Sequence, residues 1–152
     1  MFTNFEIMFK PQQGVIKFFF LSRSITLKRR KELKHFIIKL IKREGYKVGT
    51  INYIFCSDDY LLGINRRYLS HDFYTDIITF QLSGKSQTID AEIYVSVDRV
   101  KDNAANLGER IAVELHRVIF HGALHLCGYK DKSKREIGAM RKKEALYLDE
   151  YL

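Results

Sequence analysis

Residues 77–97 read IITFQLSGKSQTIDAEIYVSV, and this stretch decides the kind of fold. Ile77 to Leu82 is a β-branched and aromatic run. In Glu92 to Val97 the side chains Ile93, Val95 and Val97 alternate, the period of a strand buried on one face. Between the two lies a turn over 83–88 rich in glycine, serine and glutamine, so the pair is expected to form a hairpin. Working outward, Thr50 to Cys56 alternates in the same way, and Val15 to Leu21 is short, β-branched and aromatic. Both read as further strands.

Helices are expected between and after these strands. From Leu27 the spacing changes, and Leu33, Phe36, Ile37, Leu40 and Ile41 form one apolar stripe that Gly45 closes. The opposite side of that helix carries Lys28, Arg29, Arg30, Lys31, Lys34, Lys39, Lys42 and Arg43, a solvated face that can also meet phosphate. Ser57 offers an N-cap to a helix over 58–68, and 71–75 is a loop. Helices over 98–107, ended by Gly108, and over 109–127 follow. Ser133-x-x-Glu136 announces a last one through a capping box. The order β-α-β-α-β-β-α-α-α implies an α+β fold, a mixed sheet of about four strands packed with helices.

A chain of 152 residues suits one domain, with its core over roughly 15–150 and residues 1–14, which hold the sole proline, as an N-terminal extension. The formal charge of +8 attracts phosphates and makes nucleic acid the first partner to consider. Cys56 and Cys127 make no disulfide framework, which fits a reducing cytoplasm. Lys17 interrupts the one apolar run near the N-terminus, so no signal peptide is expected. No apolar segment approaches the roughly 20 residues of a membrane span.

The chemistry is concentrated in residues 121–131, HGALHLCGYKD. His121 and His125 stand at i and i+4 on a predicted helix, so both imidazoles share one face within reach of a single ion. Gly128 lets the helix stop and the chain turn back, which brings Asp131 under the same ion as a third ligand. Metzincin proteases build a three-ligand site in this way, with a third histidine where Asp131 stands. Three protein ligands leave a position open for water, the mark of a catalytic zinc site. Metzincins, however, place a glutamate directly after the first histidine as general base, and here that residue is Gly122. A phosphodiester suits the basic surface better than a peptide does.

Other residues carry less. Cys127 lies beside the histidine face rather than on it and reads as a small core residue; His116 is turned away from His121 around the helix, and His35 reads as a surface residue. His71 and Asp72 sit in the loop before a strand, where Asp72 and Thr75 suit a turn.

Residues 121–131 resemble the motif H-G-x-L-H-L-x-G-Y-D-H of the YbeY family, metal-dependent endoribonucleases and ribosomal RNA maturation factors. A second stretch, Ile64 to Phe80 (INRRYLSHDFYTDIITF), is similar to the family's L-N-x-x-Y-R-x-x-D-x-x-T-D-V-L-S-F, and Ala91-Glu92-Ile93 is a weaker match to a third. The resemblance covers roughly residues 15–150. It implies an α+β domain, one zinc-like ion on the helical histidines, and a metal-dependent, single-strand-selective endoribonuclease acting on ribosomal RNA and the ribosome in the cytoplasm, with no DNA or membrane partner expected. Two positions depart from the pattern. Asp131 replaces the third histidine, a harder, negatively charged ligand. Leu69 stands where most members carry an arginine, which leaves Arg66 and Arg67 as the nearby guanidinium groups for phosphate. The expected set is therefore His121, His125 and Asp131 on zinc, with His121, Arg66 and Arg67 in the chemistry. An assembly factor with a structural metal is the alternative reading, and a metallopeptidase is a weaker one.

Overall fold

The computed structural model describes residues 14–84 and 86–152. The described elements are β1 (Val15–Phe20), α1 (Arg30–Arg43), β2 (Lys47–Cys56), α2 (Asp58–Leu69), β3 (Ile77–Gln81), β4 (Thr88–Ser96), α3 (Val97–Leu107), α4 (Ile111–Leu126) and α5 (Lys134–Tyr151). The strands form one four-stranded sheet in the order β1-β2-β4-β3. β1, β2 and β4 run parallel, and β3 closes the edge antiparallel to β4, with Ile77 opposite Val95. This is the mixed α+β architecture expected from the sequence.

Alternation sorts the strand residues onto two faces. Val48, Ile51, Tyr53 and Phe55 of β2 and Ile89, Ala91, Ile93 and Val95 of β4 are buried together with Leu33, Ile37, Leu40 and Ile41 of α1. α4 joins the same core and is buried nearly all round, through Leu115, Val118, Ile119, Phe120, Ala123 and Leu124. A helix apolar on every side belongs in the middle of a domain, and each of its buried leucine, valine, isoleucine and phenylalanine side chains contributes about 1.5–3 kcal/mol. Under α2, on the other face of the sheet, a smaller cluster gathers Cys56, Leu61 and Ile78 with Phe80 and Tyr94.

Gly122 explains how α4 comes so close to the sheet. A Cβ there would lie 2.8 Å from Ile77 Cδ1 and 3.1 Å from Ile93 Cγ2, so only a residue without a side chain fits between helix and strands. The Tyr53 hydroxyl, buried beneath the same helix, donates to the Ile119 carbonyl at 2.9 Å. Together they set the height of α4 on the sheet and so place the histidines it carries.

Several boundaries differ from those read in the sequence, each for a local reason. β2 and β4 begin at Lys47 and Thr88, earlier than Thr50 and Glu92, because these early residues pair with each other. A register shift between Val48 and Ile51, where the Thr50 N–H donates to Asp90 Oδ1 at 2.8 Å, breaks the alternation that would have revealed them. Val97 opens α3 instead of ending β4, since Ser96 takes the N-cap and accepts from the Arg99 N–H. α1 starts at Arg30 rather than Leu27 because Arg29 has a left-handed backbone, φ 52°. α4 is shorter than 109–127, with Arg110 extended at one end and Cys127 capping the other. The N-caps at Ser57 and the Ser133–Glu136 capping box form as expected. Apart from Gly14, the N-terminal extension lies outside the described residues. Among the described residues no helix is long and apolar enough to cross a membrane.

Candidate metal centre

The last two turns of α4 and the turn after it bring His121, His125 and Asp131 together, with one ligand atom from each lying within 4.8 Å of the others. The imidazoles stand edge to face, their centroids 4.5 Å apart. Asp131 Oδ2 lies 3.4 Å from the Nε2 of His121 and 3.4 Å from that of His125. Two atoms each bonded at about 2.0–2.1 Å to one tetrahedral ion are separated by about this distance.

The return of the chain is a local backbone event. At the end of α4 the Tyr129 N–H donates to the Leu124 carbonyl and the Gly128 N–H to that of His125, the paired bonds of a Schellman motif. That motif needs a left-handed residue, and Gly128 supplies it at φ 95°. Its nearest obstacle to a side chain is Tyr46 Oη at 3.8 Å, so conformation rather than space calls for glycine here.

What the sequence did not reveal is the second layer. His125 Nδ1 donates to the Tyr129 carbonyl at 2.9 Å, and His121 Nδ1 lies 2.6 Å from Glu144 Oε1, on α5. A carbonyl and a carboxylate only accept, so both Nδ1 atoms carry protons, and in the neutral imidazoles both Nε2 lone pairs face Asp131. Three converging acceptors repel one another unless a cation lies between them. The donor set therefore fits a divalent transition metal, with at least one coordination position left free.

Glu144 is itself held. Arg117 donates to its Oε1 at 3.2 Å and Arg141 to its Oε2 at 3.1 Å, while Arg117 is gripped from below by Glu114 and faces Asp76 at 4.0 Å. Burial pushes the Glu144 carboxyl up, but the His121 hydrogen bond and the Arg117 charge outweigh it and hold the group below its ordinary value. The side chain that orients His121 is thus an ionised carboxylate. The other orienting group is tethered too: the Tyr129 hydroxyl donates to Glu44 at the end of α1, which also accepts from Tyr147 and Lys143.

Other sequence candidates fall elsewhere. Arg66 is exposed and paired with Asp72, and His71 stacks on Phe73 with centroids 5.0 Å apart. Arg67 lines a cavity between α2 and β4 with Tyr60, Gly63 and Tyr94, on the sheet face away from α4. Neither arginine makes an ion pair or hydrogen bond with the three ligands. Leu69 is exposed at the end of α2, and His35 is exposed on α1. Cys127 is buried in the core, where burial and the nearby Glu44 charge push its thiol up to about 12 and keep it protonated.

The profile of the family described as Endoribonuclease YbeY matches residues 21–152. The chain belongs to the YbeY family. Relatives named Endoribonuclease YbeY include one from Cytophaga hutchinsonii, 47% identical over 88% of this chain and 93% of its own length. One from Porphyromonas gingivalis is 45% identical over 85% of each, and one from Christiangramia forsetii is 44% identical over 88% of this chain and 92% of its own. The solution structure of TM1509 from Thermotoga maritima superposes with a TM-score of 0.60 at 28% identity, covering 90% of this chain and 87% of the other.

Proposed function

We propose that this YbeY protein is a zinc-dependent endoribonuclease that cuts single-stranded segments of ribosomal RNA in the cytoplasm, in ribosome maturation and quality control. The observation that carries the reading is the convergence of two histidine Nε2 atoms and one Asp131 oxygen, with both histidines held in that tautomer from behind. Family membership supplies the reaction class, since the relatives are named as endoribonucleases.

His121, His125 and Asp131 hold the ion. When bound, it supplies positive charge to a phosphate oxygen and acidifies water. Glu144 and Tyr129 keep the two rings aimed. The basic surface draws in RNA, with Arg66 and Arg67 assigned to substrate phosphates at a distance from the ligands. An unpaired strand suits a site at the end of a helix because its backbone bends into it, whereas a duplex offers a stiff groove. Gly122, packed between α4 and the sheet, has no room for the carboxylate that peptide hydrolysis needs at that position.

Metal content and RNA cleavage are measured for the wild type and for His121→Ala, with the far-UV circular dichroism of both as a folding control. The wild type is expected to carry one zinc per chain and to cut unstructured RNA; His121→Ala folds but loses both. Wild-type protein without stoichiometric metal refutes the reading. One observation favours a second reading, an assembly factor whose metal is structural: Leu69 replaces the family arginine, and neither Arg66 nor Arg67 touches the ligand trio. Metal-loaded protein that binds ribosomal RNA and never cuts it selects that reading. Cyclic phosphate at the cut ends assigns the attack to the RNA 2′-hydroxyl; its absence assigns it to water.

A further inference from the structure

Glu44 stands where local physics disfavours it. It caps the C-terminal end of α1, the negative end of the helix dipole, where cations such as the preceding Lys42 and Arg43 are favoured and a carboxylate is repelled. Its side chain is nevertheless turned inward and is only 10% exposed. An acid placed against the local rule in this way has its reason elsewhere in the fold.

The two carboxylate oxygens face different parts of the molecule. Oε1 accepts from the Tyr147 hydroxyl and, at 3.1 Å, from Lys143 Nζ, both on α5. Oε2 accepts from the Tyr129 hydroxyl at 2.9 Å. Tyr129 is thereby pinned at both ends, its hydroxyl on Glu44 and its N–H on the Leu124 carbonyl, while Lys143 Nζ lies 5.9 Å from the centre of its ring. Its own carbonyl is the one that accepts from His125 Nδ1 at 2.9 Å. With ring and N–H fixed, that carbonyl can leave His125 only by rotation about ψ of Tyr129, the remaining soft dihedral. The same rotation would carry Asp131, two residues on, away from the histidines and would pull on Ser133, which the α5 capping box holds.

We propose that Glu44 is a positioning residue of the metal centre: through Tyr129 it fixes the carbonyl that orients His125 and the point in the chain from which Asp131 reaches both histidines. α5 then serves both rings at once. Glu144 holds His121 directly, and its neighbour Lys143, together with Tyr147, holds Glu44. The proposal rests on the reading of His121, His125 and Asp131 as metal ligands and is independent of RNA cleavage.

The test compares two variants of the full chain that each remove one hydroxyl from the same carboxylate. Tyr129→Phe cuts the route to His125, and Tyr147→Phe leaves it intact. Zinc affinity is read by competition with a chelator. The tautomer of each histidine is read from its side-chain nitrogen resonances in metal-free protein at alkaline pH, where a protonated Nδ1 and a bare Nε2 differ. Tyr129→Phe is expected to weaken zinc about tenfold, the lower end of what loss of an outer partner of a ligating histidine costs, and to turn His125 into a mixture of tautomers. Tyr147→Phe is expected to lower the metal-free Tm while zinc affinity and the His125 resonances stay as in the wild type. Glu44→Gln, which keeps an oxygen for Tyr129, should retain part of the zinc affinity that Glu44→Ala loses. Two results overturn the proposal: wild-type zinc affinity with an unchanged His125 tautomer in Tyr129→Phe, or equal zinc losses in the two phenylalanine variants, which would make Glu44 a packing partner of α5. The metal-free spectra keep this separate from the proposed function. A His125 shift in Tyr129→Phe supports the positioning whether or not the wild type cuts RNA, and wild-type protein that binds no zinc refutes the metal reading whatever the spectra show.

Discussion

Replacing Glu144 with glutamine separates the orienting role of this carboxylate from its packing. The substitution keeps the shape and an oxygen for His121 Nδ1, now 2.6 Å away, and removes only the charge. The amide is expected to keep its oxygen toward His121 and Arg117, because its NH2 then faces Arg141, whose side chain is 61% exposed and free to swing into water. Arg117 is not stranded, since Glu114 still grips its guanidinium through two hydrogen bonds. Loss of a charged orienting partner behind a ligating histidine typically costs 10–100-fold in metal affinity, about 1.4–2.7 kcal/mol. The metal-free fold should lose about 1–2 kcal/mol as charged hydrogen bonds become neutral ones. For a domain of this size that lowers Tm by roughly 2–8 °C. Zinc affinity is read by competition with a chromogenic chelator, and Tm by melting in EDTA. An unchanged zinc affinity beside a lowered metal-free Tm would refute the reasoning and leave Glu144 as a packing partner of Arg117 alone.

Two further outcomes test other parts of the structure. Gly122→Ala should destabilise by about 1–3 kcal/mol in urea unfolding, because its methyl group meets Ile77 Cδ1 and Ile93 Cγ2 at 2.8 and 3.1 Å. Ile77→Val, which removes the nearer of those atoms, should recover part of that loss; wild-type stability in Gly122→Ala would show that α4 is not held this close. Burial works to raise the Glu44 carboxyl, but hydrogen bonds from Tyr147, Lys143 and Tyr129 outweigh it and leave its folded value below the ordinary 4.5. Its contribution to stability is therefore complete above pH 4.5 and is lost as pH falls through the lower folded value. Metal-free Glu44→Gln should accordingly show a flatter acid limb in denaturant midpoint against pH, and an identical limb would contradict this.

The order of elements was legible because each is written in a local period. Ile93 and Val95 alternate, Leu33, Ile37, Leu40 and Ile41 recur at helical spacing, and Ser57 and Ser133 mark helix starts. Where a register shift interrupted the period, at Val48 to Ile51, the strand was read short. The cluster of His121, His125 and Asp131, which could hold a metal ion, was legible for the same reason: two share one helical face, and Gly128 makes the turn to the third. For Arg66 and Arg67 the sequence offered position but not orientation. Sequence proximity to Leu69 put them forward, but the direction a side chain takes from α2 is set by how that helix packs on β3 and β4.

Local spacing thus determined the α+β class, the helix that carries the histidines and the grouping of His121, His125 and Asp131, because each depends on residues within about a dozen positions of one another. Only the tertiary structure decided what stands behind and beside them. Glu144 is 23 residues from His121, and Glu44 is 85 from Tyr129, and no periodicity links such pairs. Contacts of that range depend on the height and angle at which whole helices settle on a sheet. Here those are governed by a glycine between α4 and two isoleucines.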